Sequence, residues 1–526
     1  MSNIRYPIGE QSFENLRKEG FLYVDKTEYI QKIANGSKYF FLGRPRRFGK
    51  SLFLSTLKAF YEGKRELFKG LYANSMKWSW ESYPVIFLDL NTQQFKEDDD
   101  FSDLDILVGA TLSRYEDKWD ITPTETNLSA RFEYLIRRIS EKSNQGVVIL
   151  VDEYDKPLVN NINRPDRFIT YRNKLAALYS NFKSSADYIK LVFLTGVSRF
   201  GKLSVFSGLN NITDISFDLD FSAVCGITEE ELHEYFKEGI RKLAARYKRT
   251  IEEELQELKR NYDGYHFSEE SPDIYNPFSL LQVFAKTKYS NYWISSGNAT
   301  LLAEQLKKTN ANVESLIHQR CSQTDLEGLD IERIHPTALL YQTGYLTIKK
   351  YDAKRNIFHL GLPNLEVKQG FFEFLLPWYA SMDNQSVRPF VFDIIDEMEE
   401  GRVDDFMKRI QAMFAGFGHD LRFEEERNVQ NAILVLFSLV GMQVDAEVRT
   451  SDGRIDILVK TSKYMYVMEL KYDGSAKEAL DQIERKEYYL PWSSDSRTII
   501  EIGINYSTEK RRIDSWEVLR RNGLKT

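Results

Sequence analysis

The chain has 526 residues, and at one domain per roughly 150 residues that excludes a single small binding module. Hydrophobic residues make up 42% and charged residues 28%, with 28 Gly and 13 Pro, which also excludes collagen-like, low-complexity and largely disordered chains. The 71 Lys and Arg against 78 Asp and Glu give a net charge of -7, so any nucleic-acid site has to be a local patch.

Two cysteines, Cys225 and Cys321, lie too far apart and are too few for a disulfide scaffold or a thiolate zinc cluster, and they suit a reducing compartment. Residues 1–11 contain no apolar signal core, and the longest nearly apolar run, residues 432–442, is far short of the roughly 20 residues a membrane helix needs. The expectation is a soluble, cytoplasmic protein without a membrane partner.

In chain order, an apolar run at residues 39–42 is followed by a Gly/Arg/Pro-rich stretch and then, from Ser51, by apolar residues at helical spacing, which predicts strand, loop and helix. Apolar runs at 85–89 and 147–152 end in Asp89 and Asp152, and another runs from Leu191 to Thr195. Continuous apolar runs of this length suit a parallel sheet covered on both faces, with crossover helices between the strands. An α/β domain is expected over residues 1–220.

A helical, lid-like region follows over residues 221–392, opening on the capping-box pattern at residues 228–231. Within it, residues 345–351 and 357–360 read as a β-hairpin of a winged-helix-like module. From about Asp393 two helices (403–414 and 429–440), three strands (443–448, 454–459 and 464–471) and a helix (477–488) predict a second, smaller α/β domain over residues 393–526. The tail from Glu509 carries Lys510, Arg511, Arg512, Arg520, Arg521 and Lys525 against three acids. A contact with a phosphate backbone fits it, and a solvated helix face fits it better.

The loop from Gly43 to Ser51 joins the first strand to the first helix, where free backbone N–H groups and the helix dipole hold phosphates. Arg47, Gly49, Lys50 and Ser51 are the nucleotide-binding candidates. Lys50 is placed to reach the β- and γ-phosphates of ATP, and Ser51 to bind Mg²⁺. The usual first glycine falls on Arg44, with Gly43 one residue early. Asp152 is the candidate to hold Mg²⁺ through water, and Glu153 to polarise the attacking water. At the end of the next strand Thr195 and Ser198 are both candidates for sensing the γ-phosphate and Arg199 for offsetting transition-state charge. Ordinary strand-end and turn chemistry accounts for these three equally well. No Asn-Lys-x-Asp element that would select guanine is present.

Residues 21–27 (Phe-Leu-Tyr-Val-Asp-Lys-Thr), 44–51 (Arg-Pro-Arg-Arg-Phe-Gly-Lys-Ser), 151–157 (Val-Asp-Glu-Tyr-Asp-Lys-Pro) and 195–200 (Thr-Gly-Val-Ser-Arg-Phe) resemble the AAA-ATPase-like family of bacterial proteins. So do residues 262–265, 275–278 and 341–347. The resemblance covers nearly the whole chain, and its most specific part is the loop at 44–51, whose shifted glycine it marks as a family feature. It implies a P-loop NTPase-like parallel-sheet domain and a restriction-endonuclease-like α/β domain of the PD-(D/E)XK type, on either side of the helical and winged-helix-like middle read above. ATP, Mg²⁺ and DNA are the expected cofactors and partners, and a homo-oligomer is left open.

In the C-terminal part, a period of two sets Asp456 apart from the β-branched Ile455, Ile457 and Val459, and places Glu469 and Lys471 on one face. Two carboxylates and an ammonium across adjacent strands are what hydrolysis of a phosphodiester with Mg²⁺ or Mn²⁺ needs. Taken bare, this spacing suits a cross-strand ion pair better. The following helix with Gln482 and Tyr488 and the resemblance over residues 424–504 reverse that preference. Glu426 and Glu447 match acidic positions of such nucleases, and equally suit surface acids. The expected activity is an ATPase controlling a metal-dependent DNA nuclease, and the alternative is a nucleotide-dependent switch whose nuclease fold serves as a scaffold without cleavage.

Overall fold

A computed structural model describes residues 4–91, 102–199, 205–206, 211–293, 312–327, 336–380, 382–383, 385–415, 426–442, 444–451, 454–492 and 495–521. The chain divides into two compact units, Met1–Gly297 with Gln319–Glu366, and Asn298–His318 with Val367–Thr526. Among the described residues no helix is long and apolar enough to cross a membrane.

The first unit is built on strands β1 (Tyr39–Gly43), β2 (Val85–Asp89), β3 (Val147–Asp152), β4 (Ile189–Gly196) and β5 (Thr213–Asp214). They form one parallel sheet in the order β2-β3-β4-β1-β5. Helices Lys50–Tyr61, Leu128–Ser143 and Pro165–Ser184 connect or flank these strands, and β3 is buried along its whole length, as a strand covered on both faces requires. The late strand β4 is inserted between β1 and β3, pairing Gly43 with Gly196 on one side and Val151 with Leu194 on the other. The loop after β1 and the acids after β3 therefore both border the end of β4, at the C-terminal edge where open parallel sheets bind ligands.

The same unit continues into helices Glu229–Tyr235, Lys237–Tyr247, Ile251–Tyr262 and Pro277–Lys286, which share a core of Leu232, Phe236, Ile240, Leu243, Leu258 and Tyr262. The expected capping box is formed: the Thr228 hydroxyl accepts from Glu231 N–H while the Glu231 carboxylate takes the Thr228 N–H. The expected hairpin is β7 (Thr347–Asp352) with β8 (Ile357–Gly361). A short strand that the sequence did not announce, β6 (Arg320–Cys321), pairs with β8.

The second unit carries β9 (Asp445–Ser451), β10 (Arg454–Lys460), β11 (Tyr464–Tyr472), β12 (Thr498–Ser507) and β13 (Arg512–Arg521). They form a mixed sheet in the order β13-β12-β11-β10-β9. β11 and β12 are parallel, joined through helix Ala476–Arg485. This corrects two expectations. The tail from Glu509 is no helix face: most of it is β13, an edge strand antiparallel to β12, and charged side chains on an edge strand deter further pairing. The helix expected over 477–488 ends at Arg485, because Glu487 turns to a φ of +50°.

Helix Ala476–Arg485 lies so close to the sheet that a Cβ on Gly503 of β12 would sit 2.1 Å from the Ala476 carbonyl oxygen and 2.5 Å from Leu480 N. Both obstacles are backbone, so they cannot rotate away. Gly503→Ala is expected to push the helix off the sheet at a cost on the order of 1–3 kcal/mol. Gly474→Ala, whose nearest atom is the end of the Glu478 side chain at 3.0 Å, should cost far less. Urea denaturation and hydrogen exchange of the two variants check this.

Candidate functional site

β1 delivers the chain to the loop at residues 44–49, and Gly49, at φ +98°, turns it into helix Lys50–Tyr61. Glycine adopts that backbone without steric cost. No side chain caps the first turn of this helix, so its leading N–H groups remain available to an anion. Lys50 is buried, and its ammonium donates to the carbonyl oxygens of Arg44 and Pro45, each at 3.0 Å. Ser51 follows in the same first turn.

The arginines of the loop have separate duties. Arg44 turns its guanidinium away to the carbonyls of Ser216 at 2.8 Å and Phe221 at 3.0 Å and stacks on Phe267. Burial draws its pKa down to about 10. It ties the loop to the segment after β5, a role that its position in place of a glycine does not suggest. Arg47, at φ +64°, lies over the Phe278 ring at 3.9 Å. Phe48 is buried edge-on against Tyr265 and Phe267, and its carbonyl accepts from Gly226 N–H.

At the end of β3, Asp152 is buried beside Thr195 of β4, whose hydroxyl donates to Asp152 Oδ1 at 2.6 Å. Glu153 N–H donates to the same oxygen at 3.1 Å. Among the described residues both bonds fall on Oδ1. A hydroxyl and a carboxylate, as at Ser51 and Asp152, are the hard-oxygen donor types that Mg²⁺ prefers. Asp89 ends the neighbouring strand in register with Asp152, and burial, with the charges of Asp152 and Glu153, raises its pKa. Ser198 N–H is bound to the buried carboxylate of Asp155 at 2.6 Å. Arg199 is buried and held by Asp214 at 2.9 Å and Glu327 at 3.6 Å, while Gln342 Oε1 accepts its N–H at 2.8 Å. Thr195 is thus occupied in orienting Asp152, and Arg199 in joining three segments of the first unit.

A cleft of about 80 Å³ opens beside Gly49, walled by Leu22, Val24, Phe53, Val224, Ile227 and Leu281 among others. Lys26 is the one charged residue in its lining, and its ammonium is held by the Ala223 carbonyl at 2.8 Å and by Glu231 at 2.6 Å. Motif reading missed this cleft because its walls come from segments nearly 260 residues apart, Leu22 to Leu281, and no spacing rule joins them.

In the second unit Asp456 of β10 is in register with Glu469 of β11, which puts the two on one face of an antiparallel pair. Glu469 is fully buried. Lys471 Nζ donates to Glu469 Oε1 at 2.8 Å and to Gln482 Oε1 at 2.6 Å, and Gln482 Nε2 donates to Glu469 Oε1 at 2.5 Å. The amide of Gln482 thus closes a ring with the acid and the ammonium. Two carboxylates on adjacent strands again suit a hard divalent cation. The side chains of Asp456, Glu426 and Glu447 lie outside the described residues.

Residues 7–206 match the model of a family described as predicted AAA-ATPase, and residues 424–516 match that of the PD-(D/E)XK nuclease superfamily. Over 524 residues the chain is 32% identical to the "Uncharacterized protein in vnfD 5'region" of Azotobacter chroococcum mcd 1, with 98% of each chain covered.

Gln482→Leu keeps the volume of the side chain but removes a donor from Glu469 and an acceptor from Lys471. Around a buried carboxylate that loss is expected to weaken β11 locally by about 1–3 kcal/mol, read as faster amide exchange over Tyr464–Tyr472 with the first unit unchanged.

Proposed function

The chain belongs to the family of predicted AAA-ATPases in which a PD-(D/E)XK nuclease segment lies toward the C-terminal end, and from that premise we propose that it binds and hydrolyses ATP and cleaves DNA with a divalent metal. The observation that carries the ATP reading is the buried Lys50 ammonium, satisfied by two carbonyls of its own loop beneath an uncapped helix. A triphosphate takes over that ammonium and the first-turn N–H groups together. The cleft beside Gly49 offers apolar walls to the base.

In this reading Lys50 holds the β- and γ-phosphates, Ser51 and Asp152 hold the metal, and Thr195 keeps Asp152 turned toward it. Glu153 accepts the proton of the attacking water. A Mg²⁺ held there would offset the negative charge that develops on the phosphates. In the second unit Asp456 and Glu469 are the metal-holding acids, and Lys471, steadied by Gln482, orients the water that attacks the phosphodiester. The enclosed position of Glu469 keeps its charge little screened by solvent, which strengthens its hold on a cation.

Lys50→Ala is expected to lower ATP affinity by about 100-fold, the equivalent of one strong charge-assisted bond. Glu153→Gln should keep that affinity and lower turnover by about 100-fold or more, as loss of a general base does. Equal ATP affinity in wild type and Lys50→Ala overturns the site. Asp456→Ala, Glu469→Ala and Lys471→Ala should each lower cleavage by orders of magnitude and leave ATP turnover in place. Because both acids serve one ion, the double acid variant should fall little below either single one. Cleavage of duplex and single-stranded DNA with Mg²⁺ or Mn²⁺, with and without ATP, is the assay. Nucleotide binding without cleavage in any arm favours a switch with a scaffolding nuclease fold.

A further inference from the structure

Asp155 touches no nucleotide in the reading above, yet it is 2% exposed and fully engaged. Its carboxylate accepts the Val197 N–H at 3.3 and 3.2 Å on its two oxygens, and the Ser198 N–H at 2.6 Å. The residue before it is tied to the same loop: Tyr154 N–H donates to the Thr195 carbonyl at 3.0 Å, and the Tyr154 hydroxyl to the Ser198 carbonyl at 2.8 Å. On the other side of Glu153, Asp152 is tied to Thr195. Residues 152–155 and 195–198 are therefore laced together on both sides of Glu153.

Glu153 itself sits at φ +49°, in the left-handed region that costs a residue with a Cβ about 1–2 kcal/mol. A conformation of that kind persists where the surroundings over-determine it, and such places cluster at functional sites. Here the lacing supplies the constraint, and the bonds made by Asp155 close it on the C-terminal side. An amide replaces the carboxylate only in part: its oxygen can take the Oδ2 place, but its NH₂ then meets the Val197 N–H donor to donor and the charge that strengthens the Ser198 bond is lost.

We propose that Asp155 is a positioning residue for Glu153: by holding the Val197 and Ser198 N–H groups it fixes the turn that sets the direction of the Glu153 carboxylate. The proposal rests on the ATPase reading for its consequence in turnover, and on the hydrogen bonds alone for its consequence in structure.

The test uses the full chain, with ATP binding, ATP turnover and amide exchange measured for Asp155→Asn, Tyr154→Phe, Glu153→Gln and the double variants with Glu153→Gln. Asp155→Asn is expected to lower turnover about 10- to 100-fold at nearly unchanged ATP affinity, the pattern of a lost transition-state contribution. In the Glu153→Gln background it should cost nothing more, since its effect passes through Glu153. Losses that multiply in the double variant overturn the proposal. Should Asp155→Asn fail to fold, Tyr154→Phe decides: a smaller loss of turnover that disappears beside Glu153→Gln supports the lacing, and wild-type turnover overturns it. If the wild type turns over no ATP, the ATPase reading falls, and exchange decides the structural part. Faster exchange at Glu153 together with Val197 and Ser198 in either variant supports it, and faster exchange confined to Val197 and Ser198 overturns it.

Discussion

A carboxylate removed from water has to be met by hydrogen-bond donors, and at the end of β3 this condition applies to Asp152 and Asp155 together, at 5% and 2% exposure. Apart from the Glu153 N–H on Asp152, the donors named here come from β4 and the residues just after it. Thr195 serves Asp152, and the N–H groups of Val197 and Ser198 serve Asp155. This demand gives β4 its importance beside β3, and β4 in turn brings Gly196 to the Arg44 N–H at the root of the phosphate loop. The loop, the acids and the segment after Gly196 are consequently attached to a single central strand.

The second unit solves the same problem with different parts. Glu469 is buried at the end of β11, and its partners are an ammonium two residues on and an amide from the crossover helix. That amide reaches the acid because the helix lies almost in contact with β12 at Gly503. A bulkier residue there would lift Gln482 from Glu469 without touching either of them. In both units a charged group is placed by an element distant from it in sequence, and the placement depends on close packing more than on the charged residue itself.

Buried cations in the first unit are spent on holding segments together. Arg44 gathers carbonyls beyond β5, Arg199 joins Asp214, Glu327 and Phe217, and Lys26 joins the N-terminal segment to Ala223 and Glu231. Each crosses between pieces of chain that border the phosphate loop or its cleft. Tyr345 and Gly344 pack on Trp293, whose indole N–H donates to the Arg46 carbonyl. The loop is therefore gripped from several sides, by residues as far along the chain as Gly344 and Tyr345.

Local chemistry was enough to read the parallel sheet, because apolar runs ending in Asp89 and Asp152 have few other uses, and enough to read the strand, loop and helix around Lys50, because helical periodicity restarts at Ser51. The capping box at Thr228 was legible for the same reason: both partners lie within one turn. The edge strand β13 was not legible, since a strand paired on one side keeps its charges exposed and its composition then resembles that of a solvated helix. Nor could sequence show that Arg44 faces the carbonyls of Ser216 and Phe221, that Thr195 is spent on Asp152, or that Gln482 closes a ring with Glu469 and Lys471. Those pairings join residues 11 to 177 positions apart. Periodicity reports which face a residue is on, whereas which distant group must satisfy it is decided only when the chain is packed and each buried donor needs an acceptor.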